Sequence, residues 1–167
     1  VANSHFRGNG CPQCGKILSK GMKQVISTLE QLKSIGFIQD YALEKTFKEM
    51  KYKENGRLYL DAYIDELHVG IEYDGEQHFR PIEFFGGIES LKLGMKRDII
   101  KDTYCLKSRM NLLRIPFTIK LDQIPIIIIE FLKQCKEKLV YCSYEHYSNV
   151  IDSKMKENHT IITQKIF

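Results

Sequence analysis

The chain has 167 residues, 43% of them hydrophobic, enough for one sizeable core with a small appendage. Its 25 basic and 21 acidic residues give a net charge of +4, which allows a nucleic-acid partner without demanding one. No apolar run reaches the roughly 18–20 residues of a membrane span, so no membrane partner is expected; the longest, Ile124 to Leu132, is broken by Pro125 and Glu130.

The first residues carry no signal-peptide pattern. The sequence opens without Met, directly on polar residues, the start expected of a piece of a longer protein. Residues 1–18 are rich in Gly, Asn and Cys and read as a segment of their own. Within them Cys11-Pro12-Gln13-Cys14-Gly15 is half of a zinc knuckle. A structural zinc site needs four ligands. His5 is a candidate third, so a Zn²⁺ held by Cys11 and Cys14 would need help from residues upstream. The chain has five cysteines, an odd number. Cys105, Cys135 and Cys142 are scattered, which suits a reducing, intracellular compartment rather than a disulfide framework.

From Ser19 the pattern changes. Val25, Ile26, Leu29, Leu32 and Ile35 recur at helical spacing between a Ser19 cap and a stop at Gly36. Three strands are predicted next, over Ile38 to Phe47, Arg57 to Ile64 and His68 to Tyr73. Asn55-Gly56 marks a turn before the second, and the short Asp65-Glu66 turn implies antiparallel pairing with the third. An irregular stretch from Pro81 to Gly87 leads to a long helix over Ile88 to Met110. A compact apolar strand follows at Asn111 to Phe117, then an amphipathic helix over Leu121 to Leu139 with Pro125 in its first turn. This order makes an α/β domain over residues 19–140: an αβββαβ core, a mixed central sheet flanked by helices, and a C-terminal helix. Residues 141–167 lose periodicity and read as an extension.

Asp61 to His78 holds the chemistry. Side chains alternate along a strand, so Glu72 and Asp74 point to one face while Tyr73 points away, and Asp61 on the preceding strand can face them. Converging carboxylates suit Mg²⁺, which takes oxygen ligands and keeps room for waters and a phosphate oxygen. The plainer alternative is a solvated row of acids on an open sheet face, but Val69, Gly70 and Ile71 make that strand otherwise apolar. His78 follows Gly75, which lets the chain bend out of the sheet, and its pKa suits proton transfer or metal ligation. On the long helix Lys96, Arg97 and Lys101 are candidates for phosphate contacts beside Asp98, or simply a charged helix face. Arg114, in an apolar strand, needs an anion, either one of these carboxylates or a substrate phosphate.

The stretches GIEYDGEQHF, FFGG, KRDIIKDTYC and NLLRIPF, in that order, resemble endonuclease-like domains of the PD-(D/E)XK superfamily in phages, giant viruses and bacteria. The branch is that of very-short-patch-repair and EDxHD-type homing endonucleases, and the resemblance covers about Ser19 to Leu139. NSHFRGNGCPQC resembles the second half of a zinc ribbon that precedes such domains. The resemblance implies a restriction-endonuclease-like fold, Mg²⁺ or Mn²⁺ as cofactor, DNA as substrate, and the host cytoplasm or nucleus for a viral chain. It implies Asp61 and Glu72 as metal-site acids, His78 as the catalytic histidine and Asp98 as the helix acid. Cutting both strands would call for a homodimer or a larger chain. Two departures stand out. Relatives begin the first helix with Gly-Glu where this chain has Gly21-Met22, and the superfamily's usual Lys is replaced by Asp74, leaving His78 or Lys101 to supply its chemistry. An impaired nuclease fold kept for binding DNA or protein in a viral assembly is the alternative.

Overall fold

The computed structural model of the chain describes residues 18–54 and 56–137. Helix α1 (Lys20–Ser34) begins at its expected cap, where the Ser19 hydroxyl accepts the Met22 N–H at 3.1 Å. Met22, Val25, Leu29 and Leu32 form its buried stripe, and Gly36, at φ +70°, turns the chain away. The strands are β1 (Ala42–Lys45), β2 (Lys51–Lys53), β3 (Gly56–Arg57), β4 (Leu60–Ile64) and β5 (Val69–Asp74). Helix α2 (Gly87–Lys107), strand β6 (Asn111–Pro116) and helix α3 (Ile124–Glu137) complete the order.

Four strands form one sheet in the order β1-β4-β5-β6, antiparallel except for the parallel β5–β6 pair. This is the expected mixed sheet with flanking helices and a closing C-terminal helix. Strand detail differs from expectation in two places. The first predicted strand shrinks to Ala42–Lys45, because Ile38 is buried as a core anchor outside any strand. The second splits: Gly56–Arg57 pairs with β2 in a separate two-stranded arm, and only Leu60–Ile64 enters the main sheet.

Alternation on the strands divides the interior into two cores. On one face Ala62, Ile64, Val69, Ile71, Leu113 and Ile115 pack against α1 and α3, with Leu29, Ile128 and Phe131 at the centre. On the other, a smaller cluster of Met50, Leu60, Tyr63, Leu112 and Cys105 joins the sheet to α2 and the β2–β3 arm. The β4–β5 ladder stops at Ala62↔Ile71, whereas β5–β6 continues to Asp74↔Pro116. The end of β5 therefore runs past its antiparallel neighbour, and that fork lies on the α2 side. No helix among the described residues is long and apolar enough to cross a membrane.

Candidate functional site

The fork leaves the Tyr73 N–H without a strand partner, and the Asp61 carboxylate takes it at 2.8 Å. Beyond this point Glu72 and Asp74 face α2 and are almost wholly buried. Buried carboxylates are tolerated only when paired. Lys101 Nζ reaches both Glu72 oxygens at 2.8 Å. Arg114, opposite Glu72 in the parallel register, grips both Asp74 oxygens at 2.7 and 2.9 Å. The same guanidinium meets Asp102 at 2.9 Å and Asp98 at 3.3 Å. His78, on a one-turn 3-10 helix after Gly75, places Nδ1 2.8 Å from Asp98 Oδ2 and 3.7 Å from Asp74 Oδ1. The short contact requires a proton on Nδ1, which leaves Nε2 as the free ring nitrogen.

Electrostatics follow from this packing. Desolvation opposes charge on His78, but the Asp98 hydrogen bond and the charges of Asp74 and Asp98 outweigh it and raise its pKa. Burial pushes Asp98 up, yet the His78 hydrogen bond and Arg114 bring it down to about 2. Burial raises Asp61 and Asp102 as well. For Glu72, burial outweighs Lys101 and Arg114 and lifts the pKa to about 8, so this carboxyl readily keeps a proton. Leaving Glu72 aside, four acids (Asp61, Asp74, Asp98 and Asp102) thus surround Lys101 and Arg114. The surplus of negative charge is what a divalent cation would relieve.

Asp74, His78 and Asp98 each offer a ligand atom, and these atoms lie within 4.8 Å of one another. Each carboxylate oxygen keeps unused lone pairs beyond its bond to Arg114 or His78. The two carboxylates fit Mg²⁺ or Mn²⁺ with waters completing the shell, and the imidazole, whose Nδ1 proton goes to Asp98, stands beside them. His78 and Asp98 also line a cleft of about 870 Å³. Its floor is one stripe of α2, through Gly87, Ser90, Gly94, Arg97 and Lys101, at helical spacing. Tyr52, Arg57 and Tyr59 wall it on the β2–β3 side, and Arg80 and Phe85 on the loop side.

Of the expected site residues, Asp61, Asp74, His78 and Asp98 come together at the fork. Two of the expected residues meet partners within the protein. Glu72 is held by Lys101, so a metal there would have to displace an ammonium. Arg114, 2% exposed, takes carboxylates, the first of its two expected kinds of partner, rather than an open surface. Lys101 is likewise tied to Glu72, although it borders the cleft. Arg97 is exposed and lines the cleft, whereas Lys96 is exposed but does not line it. Cys11 and Cys14 lie outside the described residues. Met22 packs in the larger core, and Gly21 permits the close approach of α1 to β5, since a Cβ there would fall 2.0 Å from the Tyr73 ring. Sequence reasoning missed Asp102, Arg57, Arg80 and the cleft aromatics. The spacing Asp98, Lys101, Asp102 at i, i+3 and i+4 was the available signal for the first.

The chain is similar to three viral proteins. It is 34% identical over 84 residues to uncharacterized protein 094L of Frog virus 3 (isolate Goorha), covering 46% of this chain and 54% of that protein. It is 32% identical over 80 residues to uncharacterized protein 307L of Invertebrate iridescent virus 6, covering 47% and 40%. Uncharacterized protein 033L of Invertebrate iridescent virus 3 is 31% identical over 68 residues, covering 40% and 35%. The matched stretch thus spans about half or less of each relative's length. No protein-family profile matches the chain, and no solved structure does.

Proposed function

We propose that this chain is a metal-dependent endonuclease domain of the PD-(D/E)XK type that hydrolyses phosphodiester bonds in DNA. The observation that carries the reading is the convergence of Asp74, His78 and Asp98 within 4.8 Å at the border of a cleft with arginines on its walls. Asp74 and Asp98 would hold the ion, with Asp61 at its edge. A bound Mg²⁺ or Mn²⁺ supplies polarisation of the scissile phosphate and a more acidic bound water. Asp98 fixes the imidazole through Nδ1, so His78 can take a proton on Nε2. Arg57 and Arg97 meet the flanking phosphates and fix the strand's position without reading its sequence.

The test is cleavage of single-stranded oligonucleotides and of supercoiled plasmid in Mg²⁺ or Mn²⁺. Wild-type protein is expected to cut one or both, and Asp98→Asn and His78→Ala to slow this roughly 10²- to 10⁴-fold. Full activity in either variant would rule out these roles.

A second reading, a nuclease fold kept for binding alone, is favoured by Met22 in the core and by Arg114 already neutralising Asp74 and Asp98. Thermal melts in Mn²⁺ separate the two. A saturable rise in Tm that Asp98→Asn abolishes supports the enzyme, because only a ligand of the native state stabilises it. DNA binding with no metal response supports the binding module.

A further inference from the structure

The cleft carries chemistry beyond the metal-binding side chains. Among the described residues the exposed aromatic rings are Tyr59, Phe84 and Phe85. Tyr59 and Phe85 both line the cleft, one from the β2–β3 side and the other from the loop before α2, and Phe84 stands edge-on to Phe85 with ring centroids 5.2 Å apart. Between the walls, Arg97 lies over the Tyr52 ring at 5.6 Å. Neither Arg57 nor Arg97 pairs with a carboxylate among the described residues, unlike Arg80, which is bonded to Glu76. Guanidinium groups without a carboxylate partner among the described residues, beside open rings, match the backbone and the base faces of a single nucleic-acid strand. A duplex hides its base faces in the stack and offers rings in a cleft nothing to lie on. The volume, about 870 Å³, falls within the roughly 300–1,000 Å³ of pockets that enclose a small ligand. That admits a short run of one strand rather than the girth of a double helix.

The floor agrees. Gly94 lies in the interior of α2, where glycine is unfavourable relative to alanine. A Cβ at Gly94 would meet nothing within 4 Å, so packing against the protein does not require the glycine. What it preserves is open space at the bottom of the cleft.

We infer that the cleft binds an unpaired nucleic-acid strand, with bases stacked on Tyr59 and Phe85 and phosphates on Arg57 and Arg97. The inference rests on the nuclease reading for its placement of the scissile phosphate near Asp74, His78 and Asp98, but binding can be measured apart from cleavage.

Fluorescence anisotropy in EDTA, with labelled oligothymidylate, oligouridylate and a duplex of the same length, tests it. One or both single strands are expected to bind at least about ten-fold tighter than the duplex, with affinity falling steeply in salt. Tyr59→Ala and Phe85→Ala, both at exposed positions, should each weaken single-strand binding by roughly five-fold or more. Gly94→Leu should fold normally and lose binding by filling the floor. Duplex binding as tight as single-strand binding, or single-strand binding untouched by Gly94→Leu, would overturn the inference even if the protein cuts DNA. Single-strand preference without cleavage in Mg²⁺ or Mn²⁺ supports it and removes the nuclease assignment instead.

Discussion

Arg114 meets Asp74 on β5 and both Asp98 and Asp102 on α2, so one guanidinium ties the sheet to the helix across the site. Removing it strands two buried acids, Asp74 and Asp98, and the half-buried Asp102. Arg114→Met should lower stability by about 3–5 kcal/mol, seen as a fall in urea midpoint, and Arg114→Lys should recover little because an ammonium lacks the planar fork. A second expectation concerns pH. His78 has a raised pKa in the folded state, so its contribution is complete below its ordinary value near 6.5 and fades as pH rises through the higher folded value. Asp98 behaves oppositely: its contribution is present above 3.8 and is lost as pH falls toward about 2. Melts of wild type and His78→Ala should therefore differ most in mild acid and converge above neutrality. A constant gap from about pH 5 to about pH 9 would show that the pair is not the cause. Strand parity made the shared face of Glu72 and Asp74 legible in the sequence. It could not say which cation each acid receives, because Arg114 lies 40 residues from Asp74 and only the parallel register brings them together.

At the level of elements, the long periodic pieces were readable. Helix α1 takes Ser19 as its cap, and β5 and β6 fall within a residue of expectation, because caps and apolar patterning act locally. The β2–β3 arm was not legible. Lys51–Lys53 and Gly56–Arg57 carry too few apolar residues to show a period, and the arm is fixed by Met50 and Leu58 packing against the sheet and α2. That omission hid the cleft, since the arm is one of its walls. Helix α2 offers an element-scale test. Gly94→Ala should raise stability by about 0.8–1 kcal/mol, measured as a higher urea midpoint, since the helix gains propensity and the new methyl meets no neighbour. A destabilised Gly94→Ala would mean that backbone freedom, not open space, is what the glycine supplies.

For the whole molecule, the two faces of the sheet do different work. The α1–α3 face holds the larger apolar core, and Phe131→Ala there should cost about 3–5 kcal/mol in denaturant titrations while leaving the chemistry of the cleft walls intact. The α2 face trades apolar packing for buried charge. That division has a consequence for the order of assembly. Strands β4 and β5 are joined by a short turn and can pair early, whereas β6 must wait until α2 has formed. Until then Glu72 and Asp74 remain in water, because Lys101 and Arg114 have not arrived and dehydration without them is prohibitive. The last closure therefore dehydrates acids and bases together. We expect mutations at Ile64 or Val69 to slow refolding, and Arg114→Met chiefly to hasten unfolding, in stopped-flow chevrons. A nascent chain released before β6 would then carry these acids without the arrangement that pairs them, so the site as a whole would arrive only with the final strand.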